Sequence, residues 1–479
     1  MTEQAQGKPD DGGAWRARLG RLMGDKRSEI VVLVMLLVLF TVCAAFFAFR
    51  LKSELIPDEP SHFYVSTLFS TTWGFPEVTE RALTLGHRQF DRFPFLYYWL
   101  NGRALALIGL FFPRLTEVQN LHFLRFINVI YSVLNLVFVY FLAEEVLRKR
   151  WWPLLVVFFA SSTLMFTFLS GGVSYDNLAN LCSTGSIYYL IRTLRGKNFI
   201  TNSLAWIIFI GMGILVKKTI LPLALFQFIC WVFFIIVNLI VNWKRMNLVV
   251  GVNWKLFLTT ALATTIIGLN ISLYGVNLIE YDSVFPKCKE LHTATQCDLS
   301  VFKQRASEMG IQKGKIKFSD VYEQNRGDPV NYLLEYWFDS MRDGVFGIKG
   351  HQIFLPVNLD SYYSLFFFII FLISLRYRGI GDGVLYALLL LVVLYFGTIF
   401  YINYTSELKS DFRHIAIQGR YLFPILAPFY VLVVEFISQV RQKVVRGLVL
   451  AYSLVLFILG GPAYFLLVVA ARNNLNWFV

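Results

Sequence analysis

Apolar residues run in long unbroken stretches along this chain, and polar residues gather in short clusters between them. Stretches of about 20 apolar residues have the length of a membrane-crossing helix. They lie near 30–49, 122–147, 151–170, 176–193, 200–216, 219–242, 255–276, 360–376, 381–402, 419–438 and 446–470. The pattern predicts an all-α polytopic membrane protein with about 11 transmembrane helices. It also predicts interfacial helices in two large loops, 50–121 and 277–359.

The short basic clusters orient these spans. Arg16, Arg18, Arg21, Lys26 and Arg27 precede the first span, which is longer than a signal-peptide core and has no convincing small-residue cleavage site. It is read as a retained anchor with a cytosolic N-terminus. Strict alternation then puts Arg148-Lys149-Arg150, Arg192/Arg195/Lys197, Lys244/Arg245, Arg376/Arg378 and Arg441/Lys443/Arg446 on the same side. That is the positive-inside arrangement. Segment 95–112 is apolar enough for a twelfth span, but a crossing there would send every later cluster outside. Its aromatics and single Arg103 suit a helix lying at the outer surface. So does the aromatic, amphipathic stretch 328–347 in the second loop. The chain divides into a basic cytosolic N-terminus (1–29), a transmembrane core with an outer loop 50–121 (30–276), a second outer loop (277–359) and C-terminal transmembrane helices (360–479).

Composition agrees. Of 479 residues, 56% are hydrophobic and only 16% charged, against about 25% charged in a soluble domain. Disorder is excluded for the same reason. The net charge of +13 resides in topological clusters, so nucleic acid is not the expected partner. The five cysteines form no CxxC pair. Cys288 and Cys297, both in an outer loop, fit a disulfide in an oxidising compartment.

The loop after the first span carries candidate chemistry. It reads Leu55-Ile56-Pro57-Asp58-Glu59-Pro60-Ser61-His62. Pro57 discourages helix before it, and Pro60 suits a first helical turn. Asp58 therefore sits at a helix start, with Glu59 beside it and His62 on the same face. An N-cap explains one Asp. Two adjacent carboxylates and a histidine exceed what a cap needs, and point to a general base at the membrane surface. Asp91 precedes the aromatic segment Phe93-Pro94-Phe95-Leu96-Tyr97-Tyr98-Trp99, as a further acid, a cap or a salt-bridge partner of Arg92.

Charges on the wrong side form a second clue. Lys217 and Lys218 fall between two spans on the outer side, either snorkelling to headgroups or holding a phosphate. Arg420 heads a span on the same side, as an interfacial anchor or a bidentate phosphate ligand. Arg413 and His414 are near it in sequence. Asp176 and Asn177 start another span, as a cap or as a further acid. Arg342, Lys349 and His351 are better read as a solvated loop.

The order Pro57-Asp58-Glu59 with His62, a charged residue before an aromatic helix, and Arg125 at the next span resembles the GT-C superfamily of membrane glycosyltransferases. It is similar to the lipid A aminoarabinose transferases and protein O-mannosyltransferases. It is more similar to a bacterial branch with a PDE-x-x-H start, a Tyr-Asp-Asn segment (Tyr175-Asp176-Asn177 here) and Gly419-Arg420-Tyr421-Leu422-Phe423-Pro424. Arg92-Phe93-Pro94 departs from the Lys-Pro-Pro of the aminoarabinose transferases. No soluble C-terminal domain like that of the oligosaccharyltransferases is expected.

The resemblance implies an inverting transfer of one sugar from a polyprenyl-monophosphate donor to an envelope glycan, lipid or protein, at the outer face of a bacterial inner membrane. Asp58, Glu59 and Asp91 are then the candidate catalytic acids. Lys217, Lys218 and Arg420 would bind the donor phosphate, and His62, Tyr97, Asp176 and Tyr421 the substrate. No DxD, HExxH or Walker pattern calls for a metal; none is required, although a divalent cation is compatible. Other classes are a lipid-linked glycan flippase or transporter, and an O-antigen polymerase or ligase. A transporter needs ionisable residues in mid-span, where Glu435 is an exception among sparse charges.

Overall fold

The computed structural model describes residues 26–147, 149–241, 254–308, 328–349, 353–354, 359–376, 383–409, 417–472 and 475–479. Arg16, Arg18, Arg21, Arg148, Lys244, Arg245, His351, Arg378, Arg413 and His414 lie outside the described residues.

All eleven expected spans are helical. They are α1 (Lys26–Arg50), α5 (Glu117–Val146), the pair α6 (Trp152–Ser161) and α7 (Leu164–Ser170), α8 (Tyr175–Leu194), α9 (Phe199–Val216), α10 (Ile220–Val241), α11 (Trp254–Asn270), α13 (Leu359–Leu375), α14 (Gly383–Lys409), α15 (Leu426–Ser438) and α16 (Lys443–Leu459). Outside the membrane set lie α2 (Glu59–Ser70), α3 (Glu80–Thr84), α4 (Leu96–Phe111) and α12 (Phe338–Phe346). A two-stranded ribbon, β1 (Ile348–Lys349) with β2 (Ile353–Phe354), follows α12.

Among the described residues, eight helices are long and apolar enough to cross a membrane, or nine with α6 and α7, which are bent by 67°, taken as one span. This multi-pass architecture falls short of the expected eleven for two physical reasons. Helix α13 has 17 residues. Helix α8 has 20 but carries Asn177, Asn180, Ser183, Thr184 and Ser186, all buried. Its polar face meets protein and never lipid, so apolarity does not mark it. Lipid-facing helices show the opposite: Met35 and Val42 of α1, Phe233 and Ile240 of α10 and Phe257 of α11 are all exposed, as hydrocarbon solvent permits.

Local chemistry sets the helix ends. Thr116 and Gln119 form a capping box at α5, and Ser174 accepts from the Asp176 amide to start α8. Helix α4, 16 residues long, spans only about 24 Å. It packs along α2, and its Arg103 donates to the carbonyls of Phe69 and Thr72 at the α2 C-terminus. Gly171 lies against α1, where an added Cβ would sit 2.5 Å from Phe47 Cβ.

One end of the bundle gathers the basic clusters. Lys26 pairs with Glu144, Arg150 with Glu29, and Arg195 and Lys197 with Glu145. Lys149 donates to the Ser438 carbonyl. The far ends of α1, α8 and α9 converge elsewhere, between two apolar cores. One core is built on α1, α5 to α7, α15 and α16, the other on α2, α4, α8, α9 and α14.

Candidate active site: a charged cavity opposite the basic end

Asp58 occupies the N-cap position of α2 but does not cap it. Its φ is 62°, in the left-handed region, and its side chain makes no cap hydrogen bond. A non-glycine residue there is uncommon and mildly strained. The carboxylate instead accepts from Arg420 Nη2 at 2.6 Å and stays 41% exposed. Asp176 likewise does not cap α8, because Ser174 does. Its carboxylate is buried, pairs with Lys217 and lies 3.5 Å from Arg420 Nη1. Arg420 thus faces two acids, and Gln418 Oε1 accepts from its Nε at 2.5 Å. The four charges run in sequence as Asp58, Arg420, Asp176 and Lys217.

Close backbone packing fixes Arg420. It lies in a short 3-10 turn, Gly419–Ile425, ahead of α15. A Cβ on Gly419 would stand 2.3 Å from the Gly344 carbonyl carbon, so only glycine lets this turn meet α12. Tyr395 donates to the Tyr421 carbonyl at 3.1 Å. The Lys217 ammonium lies over the rings of Tyr175 and Tyr421, at 4.8 and 5.0 Å.

Asp58, Ser61, His62, His87, Arg88, Tyr98, Tyr175, Lys217 and Lys218 line one cavity of about 400 Å³, with Phe90, Phe93 and Phe285 among its apolar walls. Lys217 is buried, whereas Lys218 is exposed. Arg88 donates to the Pro286 carbonyl at 2.8 Å and so ties the second loop to the first. That loop carries a Cys288–Cys297 disulfide.

Two histidines line the same wall. His62 Nδ1 lies 2.9 Å from the Tyr98 hydroxyl, and its ring meets Tyr175 edge-on at 4.3 Å. His87 Nε2 lies 2.6 Å from Ser61 Oγ. Burial lowers the His62 pKa to about 3 and the His87 pKa to about 4, against the pull of Asp58 on each. Both rings are neutral near pH 7.

The remaining expected residues stand apart from the cavity. Glu59 is buried and bound by Arg125 at 2.8 and 2.5 Å, and it also accepts from the Val173 amide at 2.9 Å. Arg125 donates in addition to the Ala48 and Leu51 carbonyls. This knot ties the end of α1 to α2, α5 and the start of α8. Tyr97 is buried and donates to Asn128 at 3.0 Å, behind His62. Asp91 pairs with Arg92, which also reaches Glu280 at 3.0 Å. Arg342 is occupied by Asp339, Asp343 and Ser364. Sequence reasoning missed Ser61, His87, Arg88 and Tyr98 as lining residues. The only signal was the His87-Arg88 pair ahead of the aromatic segment, which is too generic to single out.

No protein-family model matches the chain, and no curated protein matches it. The chain is similar to solved membrane-protein structures. ArnT from Cupriavidus metallidurans, bound to undecaprenyl phosphate, aligns over 89% of this chain with a TM-score of 0.48 and 13% identity. The Archaeoglobus fulgidus oligosaccharyltransferase, tethered with an acceptor peptide, aligns over 91% with a TM-score of 0.46 and 14% identity. Arabinosyltransferase EmbB from Mycobacterium smegmatis aligns over 91% with a TM-score of 0.43 and 11% identity. The chain spans 63%, 54% and 31% of those three chains.

Proposed function

We propose that this protein is a membrane glycosyltransferase that moves one sugar from a polyprenyl-monophosphate donor to a hydroxyl of an envelope glycan, lipid or protein. In this reading the cavity faces the outside of a bacterial inner membrane. One observation carries the proposal: a half-exposed carboxylate, Asp58, shares a cavity with the cations Lys217 and Lys218, at the bundle end opposite the basic clusters. The motif resemblance supplies the donor class.

Asp58 is the base. The Glu59 oxygens are taken by Arg125 and Val173, and Asp91 does not line the cavity. The acceptor oxygen attacks the anomeric carbon and its proton passes to Asp58. The bond from that carbon to the phosphate oxygen breaks, and its electron pair leaves with the lipid phosphate. One displacement inverts the anomeric centre. Lys217 and Lys218 stabilise the charge growing on the phosphate. Arg420 orients Asp58. A positioned base contributes roughly 10²–10⁴-fold. Asp176 keeps Lys217 and Arg420 in place from behind.

Mass spectrometry of envelope glycans tests this, using matched strains with the wild-type protein, none, and Asp58→Asn at equal expression. Loss of one sugar mass in both the null and the Asp58→Asn strains is the expected result. An Asp58→Asn strain identical to wild type refutes the base. Loss of whole chains, or their failure to be ligated, favours the flippase or polymerase instead.

A further inference from the structure

Among the described residues that line the cavity, one buried side-chain nitrogen has no hydrogen-bond partner. His62 is 3% exposed and lines the cavity wall. Its Nδ1 meets Tyr98, while its Nε2 is buried without a hydrogen-bond partner. A buried, unpaired ring nitrogen costs stability, and a site that receives a ligand there recovers that cost. The residue sits one turn deeper along α2 than Asp58, whose side chain is 41% exposed. An acceptor arriving from solvent meets Asp58 first, so the space beside His62 belongs to the part of the donor next to its phosphate.

We propose that His62 Nε2 hydrogen-bonds a hydroxyl of the transferred sugar and so sets which sugar the cavity accepts; this rests on the transferase reading above. Lys217 and Lys218 line the same cavity and supply the cations for the phosphate, which leaves a sugar hydroxyl as the partner of His62. Tyr98 and Tyr175 wall the same space with aromatic surface. A few placed polar groups among aromatic walls is how small-molecule sites fix orientation. A site built to bind a hydroxyl also discriminates strongly against a sugar lacking it.

The two ring nitrogens can be tested separately. In His62→Gln the amide nitrogen stands near the Nε2 position, whereas in His62→Asn it stands near Nδ1 and serves Tyr98 alone. The first readout is envelope glycan modification in strains carrying wild type, His62→Gln, His62→Asn and Asp58→Asn, and in a strain lacking the protein. The second is the lipid held by each purified protein, measured by native mass spectrometry with undecaprenyl phosphate added as the sugar-free reference. The proposal expects His62→Asn to lower both the modification and the ratio of sugar-bearing to sugar-free lipid by roughly tenfold. His62→Gln retains most of both. The opposite pattern, with Asn active and Gln inactive, means that only the Tyr98 bond matters and overturns the proposal. Full modification in both variants overturns it as well. Lost modification with an unchanged lipid ratio assigns the hydroxyl to the acceptor and overturns the donor assignment. If a strain lacking the protein modifies normally, the transferase reading has failed, independently of His62; a normal Asp58→Asn strain removes only the base.

Discussion

Asp58 stands where a helix cap would stand, yet its carboxylate turns to Arg420, 362 residues away in sequence and 2.6 Å away in space. The pair joins the first loop to the C-terminal helices. Arg420 also faces buried Asp176. Arg420→Met therefore takes one cationic partner from each of two acids, while Asp58→Asn leaves Arg420 with Asp176. Thermal melting of the detergent-purified proteins should show a larger loss for Arg420→Met than for Asp58→Asn. Equal losses would mean that Asp176 draws nothing from Arg420.

The Glu59–Arg125 pair is a stability element. Breaking a buried pair by removing one partner costs about 3–5 kcal/mol. Glu59→Gln and Arg125→Met should each lower folded yield and melting temperature sharply. The double variant should recover part of the loss, because no lone charge remains. A fully stable, inactive Glu59→Gln would return Glu59 to the list of catalytic acids.

The two cavity lysines should separate. Lys217 is buried against Asp176, and Lys218 is exposed. Lys217→Met should destabilise the fold as well as stop transfer. Lys218→Glu should leave the melting temperature nearly unchanged, as exposed substitutions do, and weaken glycan modification roughly tenfold by repelling the phosphate. Normal modification by Lys218→Glu would remove Lys218 from the donor site.

Stability should fall on mild acidification. Burial holds His62 and His87 at pKa values of about 3 and about 4, below the ordinary 6.5. Between these values the unfolded chain binds protons that the folded chain refuses, so stability rises with pH. The contribution is present in full above about pH 6.5 and is lost progressively as pH falls towards 4. Melting temperatures measured from pH 7.5 to 4.5 should decline, and His87→Gln should flatten part of that decline.

Much of the fold was legible because lipid is a demanding solvent. A helix in contact with it must be apolar along its length, so apolar length located all eleven spans as helices, α8 and α13 among them. It was blind to what surrounds a helix, which is why α8 and α13 divide the expected count from the observed one. At the site, Asp58, Lys217 and Arg420 were legible as charges on one face. Their partners were not. Nothing local in Glu59 tells that Arg125 will occupy it, since that bond depends on α1, α2 and α5 meeting. Nor does Pro57-Asp58-Glu59 tell that the first acid faces the cavity and the second faces the core. The left-handed turn at Asp58 makes that distinction.

The polar residues of α8 bear on how the protein is made. A segment carrying Asn177, Asn180, Ser183, Thr184 and Ser186 gains little by dissolving in hydrocarbon alone, since the Asn177 amide, which donates to Asn128, Leu169 and Gly172 outside the helix, would enter lipid unmatched. Its neighbours on both sides, α5 and α9, present the surfaces that shield it. Insertion of α8 should therefore be favoured by the presence of α5 and α9. The cavity end of the bundle is complete only where these three helices pack together.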